Sequence, residues 1–147
     1  MFTTNGGTST CTNAATSGTI AKTADTQQHV TVNYSGCTAF GFATVDVSST
    51  TLLFTSGTGK NLHLENAFKI TPTFFGASVC TVLVGPQTVG TVDYVNASSS
   101  TVRLHFTVSG ITYASSGGAC GTSDFNGTLT GSIELSRVGG GTFQYDA

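Results

Sequence analysis

Apolar and polar side chains alternate along several stretches of this chain with a period of two residues. The clearest stretch is 101–108, whose apolar positions are Val102, Leu104, Phe106 and Val108. This period places successive side chains on opposite faces of a β-strand, whereas an amphipathic helix repeats every 3.6 residues. No stretch has a convincing helical period, so the sequence predicts an all-β protein.

We expect about nine or ten short strands. The best patterns cover 28–34, 42–48, 101–108, 128–135 and a short last strand at 143–145, with weaker ones at 18–23, 51–55, 61–65, 68–74, 79–84 and 91–95. Glycine-rich turns separate them, and one polar face on most strands is typical of an antiparallel β-sandwich, with a β-barrel as the alternative. Gly131 stands where a large apolar residue is expected, which indicates a bulge or a close backbone approach.

Polar composition points to an extracellular protein. The chain has 28 threonines and 16 serines, and only 8% of its residues are charged, against about 25% in an average protein. Hydroxyl groups therefore keep it soluble. The net charge of −2 and five scattered basic residues exclude a nucleic-acid surface, and no apolar stretch is long enough for a membrane-spanning helix.

Length and patterning predict a single domain over 1–147. Residues 1–27 are the most hydroxyl-rich and the least patterned, so we expect this segment to be loosely packed. The first residues lack the basic and apolar regions of a signal peptide. The simplest expectation is that Met1 replaces a removed leader.

Four cysteines, Cys11, Cys37, Cys80 and Cys120, include no Cys-x-x-Cys pair. An even number in so hydroxyl-rich a chain favours two structural disulfides, with buried free thiols as the alternative. Three pairings are open. A meander after the strand at 28–34 returns Cys37 beside Cys11, and Cys80 and Cys120 both adjoin late strands. We therefore favour Cys11–Cys37 with Cys80–Cys120.

Four segments carry a resemblance to known proteins. Residues 34–45 read YSGCTAFGFATV, 80–88 read CTVLVGPQT, 108–113 read VSGITY and are followed by Cys120, and 125–132 read FNGTLTGS. They resemble a group of uncharacterised secreted actinobacterial proteins with a CTAFGFPATV-type segment, although the proline of that segment is missing here. The resemblance implies export and a disulfide-bearing β-domain. It implies no activity, because none is assigned to that group.

Few residues suggest catalysis or metal binding. His63 and Glu65 share one face of a predicted strand and His105 lies on another, but nothing places the two strands side by side. No Gly-x-Ser-x-Gly motif accompanies the many serines, and the carboxylates lie beside turns or on polar faces. The sequence predicts no catalytic residue, no metal site and no cofactor.

Aromatic residues supply the remaining candidates for binding. Phe40, Phe42, Phe74 and Phe75 could stack on sugar rings if they are exposed, although phenylalanine is more often buried in a core. We expect a non-enzymatic extracellular structural or cell-surface protein: an envelope component, a filament subunit or an adhesion module, with self-assembly or a surface partner. The alternative is a ligand-binding module for glycan or a small apolar molecule.

Overall fold

The computed structural model describes residues 1–19, 27–55, 61–98 and 101–136. These residues form thirteen strands: β1 (Phe2–Thr4), β2 (Gly7–Thr19), β3 (Gln27–Ala39), β4 (Ala43–Val47), β5 (Thr50–Thr55), β6 (Asn61–Leu64), β7 (Phe68–Phe74), β8 (Ala77–Ser78), β9 (Thr81–Val84), β10 (Gln87–Thr91), β11 (Asp93–Ser98), β12 (Thr101–Ser116) and β13 (Asp124–Ser136). A 3-10 helix, Gly118–Cys120, precedes β13. The predicted strand at 143–145 lies outside the described residues.

Alternation along the strands builds the core, as the sequence predicts. On β12, Leu104, Phe106 and Val108 are buried, and the residues between them are exposed. Full burial of such a side chain contributes about 1.5–3 kcal/mol. The alternation changes phase once on β3, between Tyr34 and Cys37, where Gly36 has a φ of 61°. That positive φ turns Cys37 toward the interior.

Eight strands close into a barrel. They follow the order β3–β2–β1–β13–β12–β9–β7–β4, with every pair antiparallel. The barrel closes between β3 and β4, where Thr38 pairs with Thr44 and Ala39 pairs with Ala43. The architecture is therefore the barrel, which was the alternative expectation, and not the sandwich.

The two ends of strand β3 pair with different strands, and for this reason the sheet has more strands than the barrel. Its first half, from Gln27 to Val32, pairs with β5, which continues to β6 and β10. Its last residues pair with β4 and close the barrel. Gln87 then ties β10 to β12: its side-chain amide donates to the carbonyl of Thr112 at 2.8 Å and accepts from the amide of Thr112 at 2.9 Å.

Two disulfides reinforce the barrel, in the pairing that the sequence favours. Cys11 on β2 lies directly opposite Cys37 on β3 and is bonded to it, with a Cα–Cα distance of 3.9 Å. Cys80, just before β9, is bonded to Cys120 in the 3-10 helix, with a Cα–Cα distance of 5.6 Å. The second bond fastens the long connection between β12 and β13 to the barrel wall.

The segment predicted to be loosely packed covers residues 1–27, of which 20–26 lie outside the described residues. Residues 1–19 contain β1 and β2 of the barrel wall, and Phe2 is buried there. Phe2 packs edge-to-face on Phe68 and Tyr113, with ring centroids 5.8 and 6.1 Å apart. The hydroxyl-rich sequence of β2 hid this role, because threonine and serine give little apolar alternation to detect.

Gly131 marks a close approach and not a bulge. It pairs in register with Phe106 across β12 and β13. A Cβ atom on Gly131 would lie 2.6 Å from Cζ of Phe106. The ring therefore covers the glycine, an arrangement that compensates for a missing side chain in a strand.

Candidate functional site

Two tight turns lie at the ends of neighbouring hairpins of the barrel. The β3–β4 turn has Phe40 and Gly41 at its centre, with φ of 55° and 78°, and the amide of Phe42 donates to the carbonyl of Ala39 at 3.2 Å. The β7–β8 turn has Phe75 and Gly76 at its centre, with φ of 49° and 78°. Positive φ at both central residues is the signature of a type I′ turn.

Phenylalanine is an unusual first residue for such a turn. A non-glycine residue in the left-handed region costs about 1–2 kcal/mol, and asparagine, aspartate or glycine usually fills the position. Backbone strain of this kind clusters at functional sites, because the rest of the fold must hold it in place. The pairing of β3 with β4 and of β7 with β8 holds Phe40 and Phe75 here.

Three phenylalanines form an exposed cluster at these turns, which we call the aromatic tip: Phe42, Phe74 and Phe75. Their side chains are 68%, 42% and 94% exposed. The ring centroids of Phe42 and Phe74 are 5.2 Å apart, and those of Phe74 and Phe75 are 4.3 Å apart. Because these large apolar side chains meet on the surface and not in the core, the aromatic tip is the candidate binding site of the described residues.

Phe40, the fourth aromatic candidate from the sequence, does not belong to the aromatic tip. Its side chain is half-buried and packs against the core. Its ring lies over Gly7, where a Cβ atom would come within 2.9 Å of Cε1 of Phe40. The two turns thus share a backbone conformation but use their first phenylalanine differently: Phe40 faces the protein and Phe75 faces solvent.

The two chain segments that carry the aromatic tip are uncharged and rich in hydroxyls. Neither 38–45 nor 71–84 contains a charged residue or a histidine. Thr44 lies opposite Thr73, and its hydroxyl donates to the carbonyl of Thr73 at 3.4 Å. Ser78 pairs with Thr73 on the other side. The tip therefore offers apolar rings beside neutral hydrogen-bonding groups.

The residues considered for metal binding are dispersed. His63 on β6 shares a hydrogen bond of 2.9 Å with the hydroxyl of Thr88. Oε2 of Glu65 lies within hydrogen-bonding distance of Nδ1 of His29, at 2.7 Å, and His105 lies on β12, opposite Ser132 of β13. Within the described ranges, no three side chains of histidine, cysteine, aspartate or glutamate come together as metal ligands.

The three residues of the aromatic tip were predicted from the sequence as stacking candidates, but the two turns that expose them were not predicted. The signal was available: a Phe-Gly dipeptide occurs at 40–41, 41 is followed by another phenylalanine, and a second Phe-Gly occurs at 75–76. Because phenylalanine is rare at positive φ, such a dipeptide is easily taken for part of a strand.

Comparison with protein families, with curated proteins and with solved structures finds no match to this chain. In the part of the chain that the structure describes, no helix has the length and apolar character needed to cross a membrane.

Proposed function

We propose that this protein is a non-enzymatic extracellular or cell-surface adhesion module that binds a neutral polysaccharide through the aromatic tip. The observation that carries the proposal is the exposure of Phe42, Phe74 and Phe75 on two strained turns. Neither burial nor turn preference explains an almost fully exposed phenylalanine at a positive φ. A role in contact with a partner does.

The chemistry of the aromatic tip favours a sugar polymer. The C–H-rich faces of sugar rings pack on aromatic rings, and the hydroxyls of Thr73 and Ser78 lie on the strands next to the rings. Neighbouring rings are inclined by 66° and 55°. Inclined rings fit the successive residues of a twisted glycan chain better than a flat crystalline face.

The absence of charge in the segments that carry the tip favours an uncharged partner. An acidic polysaccharide or an anionic lipid surface is attracted by lysine and arginine, and 38–45 and 71–84 contain neither. Binding to a neutral chain depends on stacking and on hydrogen bonds, so it varies little with salt concentration.

Two disulfides support an extracellular location, because such bonds persist in oxidising compartments. A non-enzymatic role is supported by the use of charged side chains on outward faces. Arg103, for example, pairs with Glu134 across β12 and β13 at 2.8 Å, and both side chains are about half exposed. Such exposed pairs stabilise a fold by about 0–1 kcal/mol.

A glycan array that includes neutral and acidic polysaccharides tests the proposal. We expect binding to neutral chains by the wild-type protein and loss of binding by the triple variant Phe42→Ser, Phe74→Ser, Phe75→Ser. Phe125→Ser is the matched control, because Phe125 is 68% exposed but belongs to no ring cluster among the described residues. Equal binding by the triple variant and the wild-type protein contradicts the proposal, and so does binding to acidic chains alone.

A further inference from the structure

Strand β3 pairs with β4 and with β5 in one continuous register. It pairs with β4 through Thr38 and Thr44, and with β5 through Val32 and Thr50. Six positions separate the two pairs on each chain segment, so the residues between them are in register as well. None of those intervening residues pairs across the opening. β3 and the segment that carries β4 and β5 therefore form one long hairpin that is open in its middle.

We call this opening, between 33–37 and 45–49, the wall window. The interior-facing residues have even numbers at one end of it and odd numbers at the other: Val32 and Thr50, then Cys37 and Val45. A regularly alternating strand cannot bury both sets. Each segment therefore leaves the regular conformation inside the window, at Gly36 with a φ of 61° on one side and at 48–49, between β4 and β5, on the other. The ladder of hydrogen bonds is interrupted there.

A space of about 500 Å³ occupies the wall window, within the range of about 300–1,000 Å³ that is usual for small-ligand sites. Val47 lies on its rim. The amide of the next residue, Ser48, donates to the carbonyl of Lys69 on β7 at 2.9 Å. Because the hydrogen-bonding groups of successive strand residues point to opposite sides, the amide and carbonyl of Val47 point toward the window. They offer one donor and one acceptor that no strand of the described residues uses.

Two side chains of opposite charge also line the wall window: Asp46 and Lys69. Both are exposed, and neither takes part in an ion pair within the described ranges. Asp46 lies opposite Thr71 of β7, whereas Lys69 lies opposite Ser48. The two charges are therefore displaced by two residues along the strand direction, which corresponds to about 7 Å.

We propose that the wall window binds a peptide of two or three residues with both of its ends free. A peptide backbone supplies the acceptor and the donor that Val47 lacks, as when a strand is added to a sheet edge. Its ammonium group lies at Asp46 and its carboxylate at Lys69, a separation that two or three extended residues span. A longer strand does not fit in the plane of the wall, because the pairs at Val32 and Thr38 close the window at both ends. The site shares no residue with the aromatic tip, so either proposal can fail without the other.

Calorimetric titration with trialanine tests the site. We expect one molecule of trialanine bound per protein chain. Acetylation of its N-terminus, or amidation of its C-terminus, removes one end charge, and each change should weaken binding by roughly tenfold. Absence of trialanine binding overturns the proposal, and so does equal binding of trialanine and of the peptide capped at both ends.

Two variants of the protein assign each end of the peptide to its partner. Asp46→Asn should weaken the binding of trialanine by roughly tenfold, but should leave the binding of N-acetyl-trialanine unchanged. Lys69→Gln should have the same effects on trialanine and on trialanine amide. Both side chains are exposed, so neither substitution disturbs the core.

Glu134→Gln and Arg103→Gln are the matched controls, because they make the same changes of charge at exposed side chains of β13 and β12. We expect both controls to bind trialanine like the wild-type protein. Equal weakening by the controls and by the window variants overturns the proposal. Loss of trialanine binding in Phe75→Asn overturns it too, because that result would place the peptide on the aromatic tip.

Discussion

Phe40 and Phe75 occupy the same position in two tight turns, with φ of 55° and 49°, and each is followed by a glycine with a φ of 78°. Only Phe75 faces solvent. The same backbone strain is therefore compensated by packing at one turn and not at the other. An uncompensated strain in an exposed residue is expected where a side chain serves binding and not folding.

Replacing Phe75 with asparagine should stabilise the protein. Asparagine adopts the left-handed conformation easily, and Phe75 has little buried surface to lose. We expect the free energy of unfolding to rise by about 1 kcal/mol. Phe40→Asn is the comparison: its half-buried ring packs over Gly7, so we expect a loss of about 1 kcal/mol instead. Urea denaturation measures both, and a loss of stability in Phe75→Asn contradicts the account of strain.

Removing either disulfide should destabilise the fold, and the two losses of stability should be similar. The cysteines of the two bonds are separated by 26 and 40 residues. Loops of these lengths correspond to about 3.5 and 4 kcal/mol of chain entropy in the unfolded state. We expect losses of that order in Cys11→Ala, Cys37→Ala and in Cys80→Ala, Cys120→Ala, measured by urea denaturation. Unchanged stability in either double variant would show that the bond is dispensable to the fold.

A methyl group at position 131 should displace the ring of Phe106. The Cβ of Gly131→Ala would lie 2.6 Å from Cζ of Phe106, so the ring must move away. We expect a loss of about 1 kcal/mol of stability. In Gly85→Ala the new Cβ meets no atom within 4 Å, so stability should stay unchanged. Thermal unfolding measures the stability of both variants. Equal changes in Gly131→Ala and Gly85→Ala contradict the close contact between position 131 and the ring of Phe106.

Alkaline pH should weaken the fold through Tyr34. Burial raises the pKa of its hydroxyl from 10.0 to about 12. The stability linked to this group is therefore fully present below pH 10 and is lost as the pH rises through 12, because the unfolded chain releases the proton first. At pH 11.5 we expect a loss of about 2 kcal/mol relative to pH 8. Urea denaturation at pH 8 and at pH 11.5 measures the loss of stability in the wild-type protein and in Tyr34→Phe. Tyr34→Phe should lose about 2 kcal/mol less than the wild-type protein. An identical loss in both proteins contradicts the prediction.

Strand character could be read from the sequence, whereas closure of the sheet could not. Alternation on β12 is strong because Leu104, Phe106 and Val108 all face one core. The barrel closes through only two residue pairs, Thr38 with Thr44 and Ala39 with Ala43. Threonine and alanine suit many positions in a sheet, so nothing in their identity distinguishes a closing pair from an open edge.

The candidate site, too, could be predicted from the sequence only in part. Phe42, Phe74 and Phe75 stand out in a chain without tryptophan, so they can be named as stacking residues. Their exposure depends on two turns from separate hairpins meeting in space, and local sequence does not encode that meeting.

Depletion of the protein from solution by an insoluble neutral polysaccharide measures whether the aromatic tip binds such a polymer. Phe75→Asn and Phe125→Asn are compared with the wild-type protein at equal concentration. Loss of one stacked ring should weaken binding of Phe75→Asn by roughly tenfold, which corresponds to about 1.4 kcal/mol. Phe125→Asn should bind like the wild-type protein. Equal binding by both variants, or a greater loss in Phe125→Asn, would contradict the account.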